Sequence, residues 1–302
     1  MAVALPTEDR SPAAPRPGIL PLRFDAATAL PFVLAGALLL ALGWPVLRFW
    51  VFEWTKPESY YEHGPLVPLI AALMLWHRRD ALRAVPKAPA LPALALLLPA
   101  LALLIFALKI QAEFLESCGL LLTVIGGVWL ALGGRFVRAA AVPLAFLWLM
   151  APLPGPLLND ATQRIQMAST VLANQILHLL TFGTTLTGNL IQMEDFTLFV
   201  DVPCSGFKLL LSLLTFGAAF AYLVDGGPVR RWLLFVFSLP LSLLVNSVRV
   251  ALIGVVGECV GPAAAHTFHD ASGVITLVLG FTALFGLAKG LGCRTFAGWA
   301  IF

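Results

Sequence analysis

The chain has 302 residues, of which 60% are hydrophobic and only 12% charged, and its mean hydropathy is +0.91. Soluble domains carry about 25% charged residues, so the composition excludes a protein that hides its apolar side chains in one aqueous core and requires a lipid solvent. The net charge of +3 is small and scattered between apolar runs, which argues against nucleic acid as a partner.

Residues 1–24 are polar and rich in Pro and Ala, and read as a disordered cytoplasmic tail. The remainder, 25–302, reads as a single transmembrane domain. A spanning helix needs about 20 apolar residues. Eight segments are candidates: 28–50, 65–77, 89–108, 114–133, 138–152, 204–223, 231–257 and 273–288, the second and fifth being short. The expected fold class is therefore an all-α polytopic membrane protein with about eight transmembrane helices.

Lysine and arginine distribute unevenly between the loops. Arg10, Arg16 and Arg23 precede the first segment, and Arg78, Arg79, Arg83 and Lys87 separate the second from the third. Arg135 and Arg138 follow the fourth, Arg230 and Arg231 precede the seventh, and Lys289 and Arg294 follow the eighth. The other side holds Arg48, Lys56, Lys109 and Arg164, an asymmetry of about three to one. The positive-inside rule then places both termini in the cytoplasm, and 52–64, 109–113, 153–203 and 260–271 outside it.

The long external stretch has two parts. In 157–182, Leu158, Ala161, Ile165, Ala168, Val171 and Ile176 recur at helical spacing between polar residues, as in a helix lying at the outer interface. In 183–203 the residues become β-branched and turn-forming, and two runs flanking Glu194-Asp195 predict a small hairpin. Its open edges could not be satisfied in lipid, so it is expected to cap the outer end of the bundle.

This topology collects three reactive side chains at one depth. Cys204 opens the sixth segment at its outer end, Arg249 lies in the outer half of the seventh, and His269 precedes the eighth. A thiol is weakly ionised at neutral pH. An imidazole can take its proton and return it to a leaving amine. Arginine stays protonated and suits an oxyanion or a carboxylate. Ser205 and Gly206 follow the thiol, and free N–H groups at a helix start would favour an anion there. Lys208 lies one turn further, free to snorkel outward or to lower the thiol pKa. Asn246 shares a helix face with Arg249 and is one structural partner for it, Glu258 being another. His63, in Tyr60-Tyr61-Glu62-His63-Gly64, is a candidate for the rim of the site.

Plainer readings exist for each. Cys118 and Cys293 read as small apolar fillers, and Cys204 could pair with Cys259 in an oxidising compartment. The four cysteines form no CxxC pattern. His266 and His269 with Asp270 could suit a metal, but no further ligand pattern supports one. No metal and no cofactor are expected.

Several pieces in order resemble the exosortase/archaeosortase family of membrane cysteine transpeptidase-like proteins: EHGPLVPLIAALMLWHRR, PLPGPLLNDATQRIQ, LTGNLIQM, VDVPCSGFKLLLSLL, NSVRVALIG and HDASG, spanning about 58–290. In HDASG, Gly273 follows the histidine by four. The resemblance implies cleavage of a C-terminal sorting tail from secreted proteins, the tail having a Pro-Glu-Pro-type motif, a transmembrane helix and a basic cluster. It implies Cys204, Arg249 and His269 as the triad. A histidine at the third place resembles the bacterial branch, hence a location in the bacterial cytoplasmic membrane with an extracytoplasmic site. Pro203, Lys208 and Glu62 depart from the family's usual residues. A transporter, with Arg249 and Asn246 lining a path, or a non-catalytic partner in surface polysaccharide export are the alternative readings.

Overall fold

The structure, a computed structural model, describes residues 26–300, so the predicted tail lies outside the described residues. The chain divides into a short unit ending at Trp44 and a larger unit, Pro45–Phe302. All candidate site residues belong to the larger one.

The helices are α1 (Ala26–Thr55), α2 (Leu66–His77), α3 (Arg79–Ala84), α4 (Leu94–Ile110), α5 (Glu113–Leu132), α6 (Gly134–Ala139), α7 (Ala141–Phe146), α8 (Gly155–Leu179), α9 (Phe207–Leu223), α10 (Pro228–Val260) and α11 (Pro262–Gly290). Among the described residues five stretches are long and apolar enough to cross a membrane: 33–55 in α1, 91–110 in α4 with its leading turn, α5, α10 and α11. The chain is a multi-pass helical membrane protein. α2 and α9 are shorter apolar helices. The proline inside α10, Pro240, is one that a helix in lipid tolerates because neighbouring groups re-satisfy the freed carbonyl.

The predicted fifth segment is not one continuous helix. It divides into α6, α7 and a 3-10 turn, Leu147–Met150, after which the chain bends by 87° into α8. Pro152 and Pro154 impose the break, since neither can donate a helical hydrogen bond and each biases its predecessor toward extended backbone. Ala151 is extended accordingly, at φ −81° and ψ 125°.

α8 runs a little earlier than the predicted 157–182 and buries a different face. The apolar series chosen from the sequence is half-buried or exposed, whereas Thr162, Gln166, Ser169, Thr170, Ala173 and Leu177 are buried. α8 packs against α10, and its polar stripe faces protein because it meets backbone groups there.

The predicted hairpin is a three-stranded antiparallel sheet: β1 (Thr185–Thr187), β2 (Leu190–Gln192) and β3 (Thr197–Phe199), in order β1-β2-β3. The expected turn around Glu194-Asp195 joins β2 to β3. A second turn at Gly188-Asn189, inside what reads in the sequence as one strand, joins β1 to β2, with Thr187 opposite Leu190. Ile191, Leu198 and Val200 enter one apolar cluster with Leu177, Cys204, Val250 and Ile253, and Met193 and Phe196 pack against it. The Phe196 ring lies directly on Gly257 of α10, where any side chain would collide with it. Glu258 accepts from the Asp195 N–H through both carboxylate oxygens, at 3.1 and 3.2 Å.

The predicted external loop 260–271 is corrected by the structure. Only Gly261 interrupts the helices, and α11 begins at Pro262. Proline is favoured at the first helical position, and Ala263–Ala265 propagate the helix, so the polar His266, His269 and Asp270 are carried on a helix. A short C-terminal pair, β4 (Thr295–Phe296) and β5 (Trp299–Ala300), ends the described chain. Asp225 accepts there from the N–H groups of Arg294 and Thr295, at 2.9 and 2.8 Å, which holds its carboxyl below the usual range.

Candidate active site

Cys204 lies on a 3-10 turn, Val202–Cys204, ahead of α9. Asp201 caps the turn by accepting from the Val202 N–H at 2.7 Å. The Cys204 and Ser205 N–H groups donate back to the carbonyls of Asp201 and Val202, at 2.9 and 3.1 Å. These two donors are therefore committed to the turn and are not open to an anion.

The chain enters α9 through Gly206 at φ +82°, a left-handed backbone that only glycine adopts without steric cost. A Cβ there would stand 2.6 Å from Cγ and Nδ2 of Asn246. Asn246 is 1% exposed. Its Nδ2 donates to the Cys204 carbonyl at 3.1 Å and to Ser169 Oγ at 3.2 Å. Ser169 Oγ in turn donates to the Ser205 carbonyl at 3.1 Å, and Gln166 Nε2 to the Val200 carbonyl at 2.6 Å. Buried polar groups must find partners, and here α8 and α10 spend theirs on the backbone around Cys204. The turn is thus held from two helices, while the Ser205 hydroxyl accepts from the Phe207 N–H at 3.3 Å.

The thiol is buried, at 8% exposure, and its Sγ is in direct contact with Nε2 of His269. Nδ1 of His269 faces Asp270 Oδ1 at 3.2 Å. A carboxylate only accepts, so Nδ1 carries the proton and Nε2 presents its lone pair to the thiol. Arg249 crosses from α10 to the same turn of α11. Its Nε donates to Ser272 Oγ at 2.8 Å and its Nη2 to the His269 carbonyl at 3.0 Å, and Ser272 Oγ also donates to that carbonyl at 3.0 Å. Two of the five guanidinium donors are used this way. Burial pushes the Cys204 thiol up to about 11, and the Arg249 charge works against that rise. At neutral pH the resting thiol is accordingly protonated, and a nucleophile requires proton transfer to His269 rather than a standing thiolate.

Cys204, Arg249 and His269 are therefore brought together, with Asn246, Ser205 and Gly206 around them. Lys208 instead pairs with Glu62 at 2.5 Å on an exposed surface. Gly273 lies one turn beyond His269 on an open face of α11, with room for a side chain. Cys259 is exposed and, like Cys204, free. His266 also faces Asp270, at 3.4 Å. Among the described residues no group of three or more His, Cys, Asp or Glu is arranged to hold a metal. Ser169, Gln166 and Ser272 are residues around the site that sequence reasoning missed, and Asp270, weighed there only with the metal reading, faces His269 instead. The signal for the first two was a polar stripe at helical spacing.

His63 makes a different contact from the one expected. It is 5% exposed, and its Nε2 meets the Leu149 carbonyl at 3.3 Å. Trp54 Nε1 donates to the Met150 carbonyl at 3.1 Å, and the Leu153 N–H donates to the Tyr61 hydroxyl at 2.9 Å. Trp54 from the end of α1 and Tyr61 and His63 from the loop that follows thus clamp the 87° bend that leads into α8. Gly64 leaves space for the Trp54 indole, against which a Cβ would collide. The same loop reaches the start of α9, where Tyr60 packs edge-on against Phe207 at 5.4 Å.

Burial holds His63 below its ordinary pKa, the Leu149 contact opposing this in part. The unfolded chain therefore binds this proton from about pH 6.5 downward, before the folded one does. The His63 contribution is intact above that pH and is lost as pH falls from there through the lower pKa of the folded state. We expect His63→Gln, which can still donate to Leu149, to lessen the fall in melting temperature below about pH 6.5, measured in detergent against the wild type. Trp54→Phe should cost about 1 kcal/mol at all pH values, the worth of one hydrogen bond.

A bundle of apolar helices in which a buried thiol meets an imidazole places the chain among the multi-pass membrane proteins. The chain belongs to the transmembrane exosortase family (Exosortase_EpsH), whose model matches residues 54–286. No curated protein and no solved structure matches the chain.

Proposed function

We propose that this protein is a membrane-embedded cysteine protease or transpeptidase that cleaves the C-terminal sorting signal of secreted proteins. The observation that carries the reading is the contact between Cys204 Sγ and Nε2 of His269, in a member of the exosortase family.

The Cys204 proton passes to His269 Nε2 as sulfur bonds to the scissile carbonyl carbon. The remaining Arg249 donors neutralise the oxyanion. The C–N bond breaks, the amine of the tail takes the proton back from Nε2, and a thioester stays on Cys204. Water or an amine then resolves it. Asp270 is a positioning residue that fixes the imidazole tautomer.

α2, α9 and the broken α7–α8 pair complete an eight-span bundle with both termini in the cytoplasm. α10 supports this arrangement. Arg231, near its start, and Arg249 are 18 residues apart, about 27 Å along a helix, close to the ~30 Å of a hydrocarbon core. The basic loops lie at the Arg231 end, so the thiol lies at the outer interface of the bacterial cytoplasmic membrane, with the three-stranded sheet as its cap.

The experiment is co-expression with a secreted reporter bearing a Pro-Glu-Pro-type motif, a helix and a basic tail. Release of a tail-free reporter that depends on both the motif and this protein is expected. A full-length reporter retained in the membrane, across a panel of such motifs, would overturn the reading.

A further inference from the structure

At the end of α9 opposite to Cys204 lies a cavity of about 270 Å³ lined by His77, Arg78, Asp80, Ala81, Tyr222 and Arg231. Four helices build it: the end of α2, the start of α3, the end of α9 and the start of α10. Its charges are unequally committed. Asp80 lies 3.9 Å from both Arg79 Nε and Arg83 Nη1, neither of which lines the cavity. The Arg231 side chain makes no hydrogen bond or ion pair among the described residues. Arg78 has the Tyr222 ring for company, its guanidinium carbon 5.9 Å from the ring centroid. The Tyr222 hydroxyl is buried with no hydrogen-bond partner. An orphaned buried hydroxyl costs about 1–3 kcal/mol, and a ligand oxygen would satisfy it.

The surroundings fix the depth. Trp76, next to His77, is 64% exposed and Trp232, next to Arg231, is 66% exposed. Exposed tryptophans at helix ends mark the headgroup level of a bilayer, where the ring is half in hydrocarbon and the N–H is in the wet interface. Two uncommitted guanidiniums, an imidazole and an unpaired hydroxyl at that level are the complement of a phosphate group, which accepts several charge-assisted hydrogen bonds at once. Basic pockets between helices on the cytoplasmic side bind lipid headgroups in this manner.

We propose that this cavity is a phosphate-binding site for the headgroup of an anionic phospholipid, tying the ends of α2, α9 and α10 together on the side away from the thiol. The test uses the full chain in phosphatidylcholine nanodiscs with and without phosphatidylglycerol, read by thermal unfolding and by lipid retained in native mass spectrometry. Phosphatidylglycerol is expected to raise the melting temperature and to be retained. Arg78→Gln and Arg231→Gln should each weaken retention about fivefold, the worth of one basic residue at a membrane surface, and Arg83→Gln should leave it unchanged. Tyr222→Phe, which keeps every charge and the ring, should also weaken it, and it serves if an arginine variant fails to fold. Inorganic phosphate and glycerol phosphate, added to phosphatidylcholine nanodiscs, separate the two sources. Silence from both assigns the site to lipid, and protection by either that Arg231→Gln abolishes assigns the same site to soluble phosphate. Retention equal in the wild type, Arg78→Gln, Arg231→Gln and Tyr222→Phe would overturn the proposal.

Discussion

Cys204→Ala is expected to abolish processing of a tail-bearing reporter while leaving the protein folded in the membrane. The side chain is small and sits in an apolar cluster with Val200, Val250 and Ala251, so alanine fits the space. Cys204→Ser should be nearly as inactive, because a hydroxyl is far harder to deprotonate against the same imidazole. His269→Ala removes the proposed general base and should lower the rate by about a hundred- to ten-thousandfold. Asp270→Asn should lower it less, since it frees the tautomer without removing the base. Arg249→Lys keeps the charge but loses the planar fork that holds Ser272 and the His269 carbonyl, and should fall between these two. Reporter cleavage, normalised to membrane-inserted protein, measures all five. Normal processing by Cys204→Ala would remove the thiol from the chemistry.

Gly206→Ala carries the second large effect, although it touches no reacting atom. Alanine at φ +82° costs about 1–2 kcal/mol from the backbone alone. The added Cβ also meets Asn246 at 2.6 Å, and Asn246 cannot retreat without giving up the Cys204 carbonyl and Ser169 Oγ. Displacing a reacting group by about 1 Å can cost a hundredfold in rate. We expect a loss of activity of that size or more, together with slower or absent protection of Cys204 from alkylation. Asn246→Ala in the Gly206→Ala background should recover part of the stability by relieving the clash, without recovering the rate. A wild-type rate in Gly206→Ala would show that the turn has slack the geometry does not indicate.

The wild-type thiol itself should alkylate slowly at neutral pH. Its pKa is raised to about 11 by burial, so its reactivity with a small maleimide should climb through the alkaline range. In His269→Ala it should fall further at neutral pH, because the proton acceptor is gone.

Much of this site was legible because its chemistry needs residue types that lipid excludes. Arg249 in the middle of an apolar run is costly unless it has partners, and loop charges placed it near the depth of Cys204 before any contact was known. The partners were not legible. Arg249 meets a carbonyl and a serine on α11, and carbonyls carry no sequence signal. α11 itself starts eleven residues before the apolar run, because Pro262 and three alanines begin a helix that His266, His269 and Asp270 ride on. Reading polarity as loop missed this, and with it the role of Asp270. In α8 the same habit chose the wrong face. Gln166 and Ser169 belong to the polar side of that pattern, yet they are buried because the carbonyls of Val200 and Ser205, beside Cys204, accept hydrogen bonds from them. His63 was legible as a feature but not as a clamp, since its partner, Leu149, is recognised only through its backbone.

The central claim is a covalent one, and the most direct measurement is the mass of the protein during turnover. Quenching with acid while a tail-bearing substrate is processed should yield an adduct on the peptide that contains Cys204, with the mass of the substrate minus its tail, released by hydroxylamine as a thioester is. Processing that proceeds with no such adduct on Cys204 under rapid quench, or with the adduct on Cys118, Cys259 or Cys293, would contradict it.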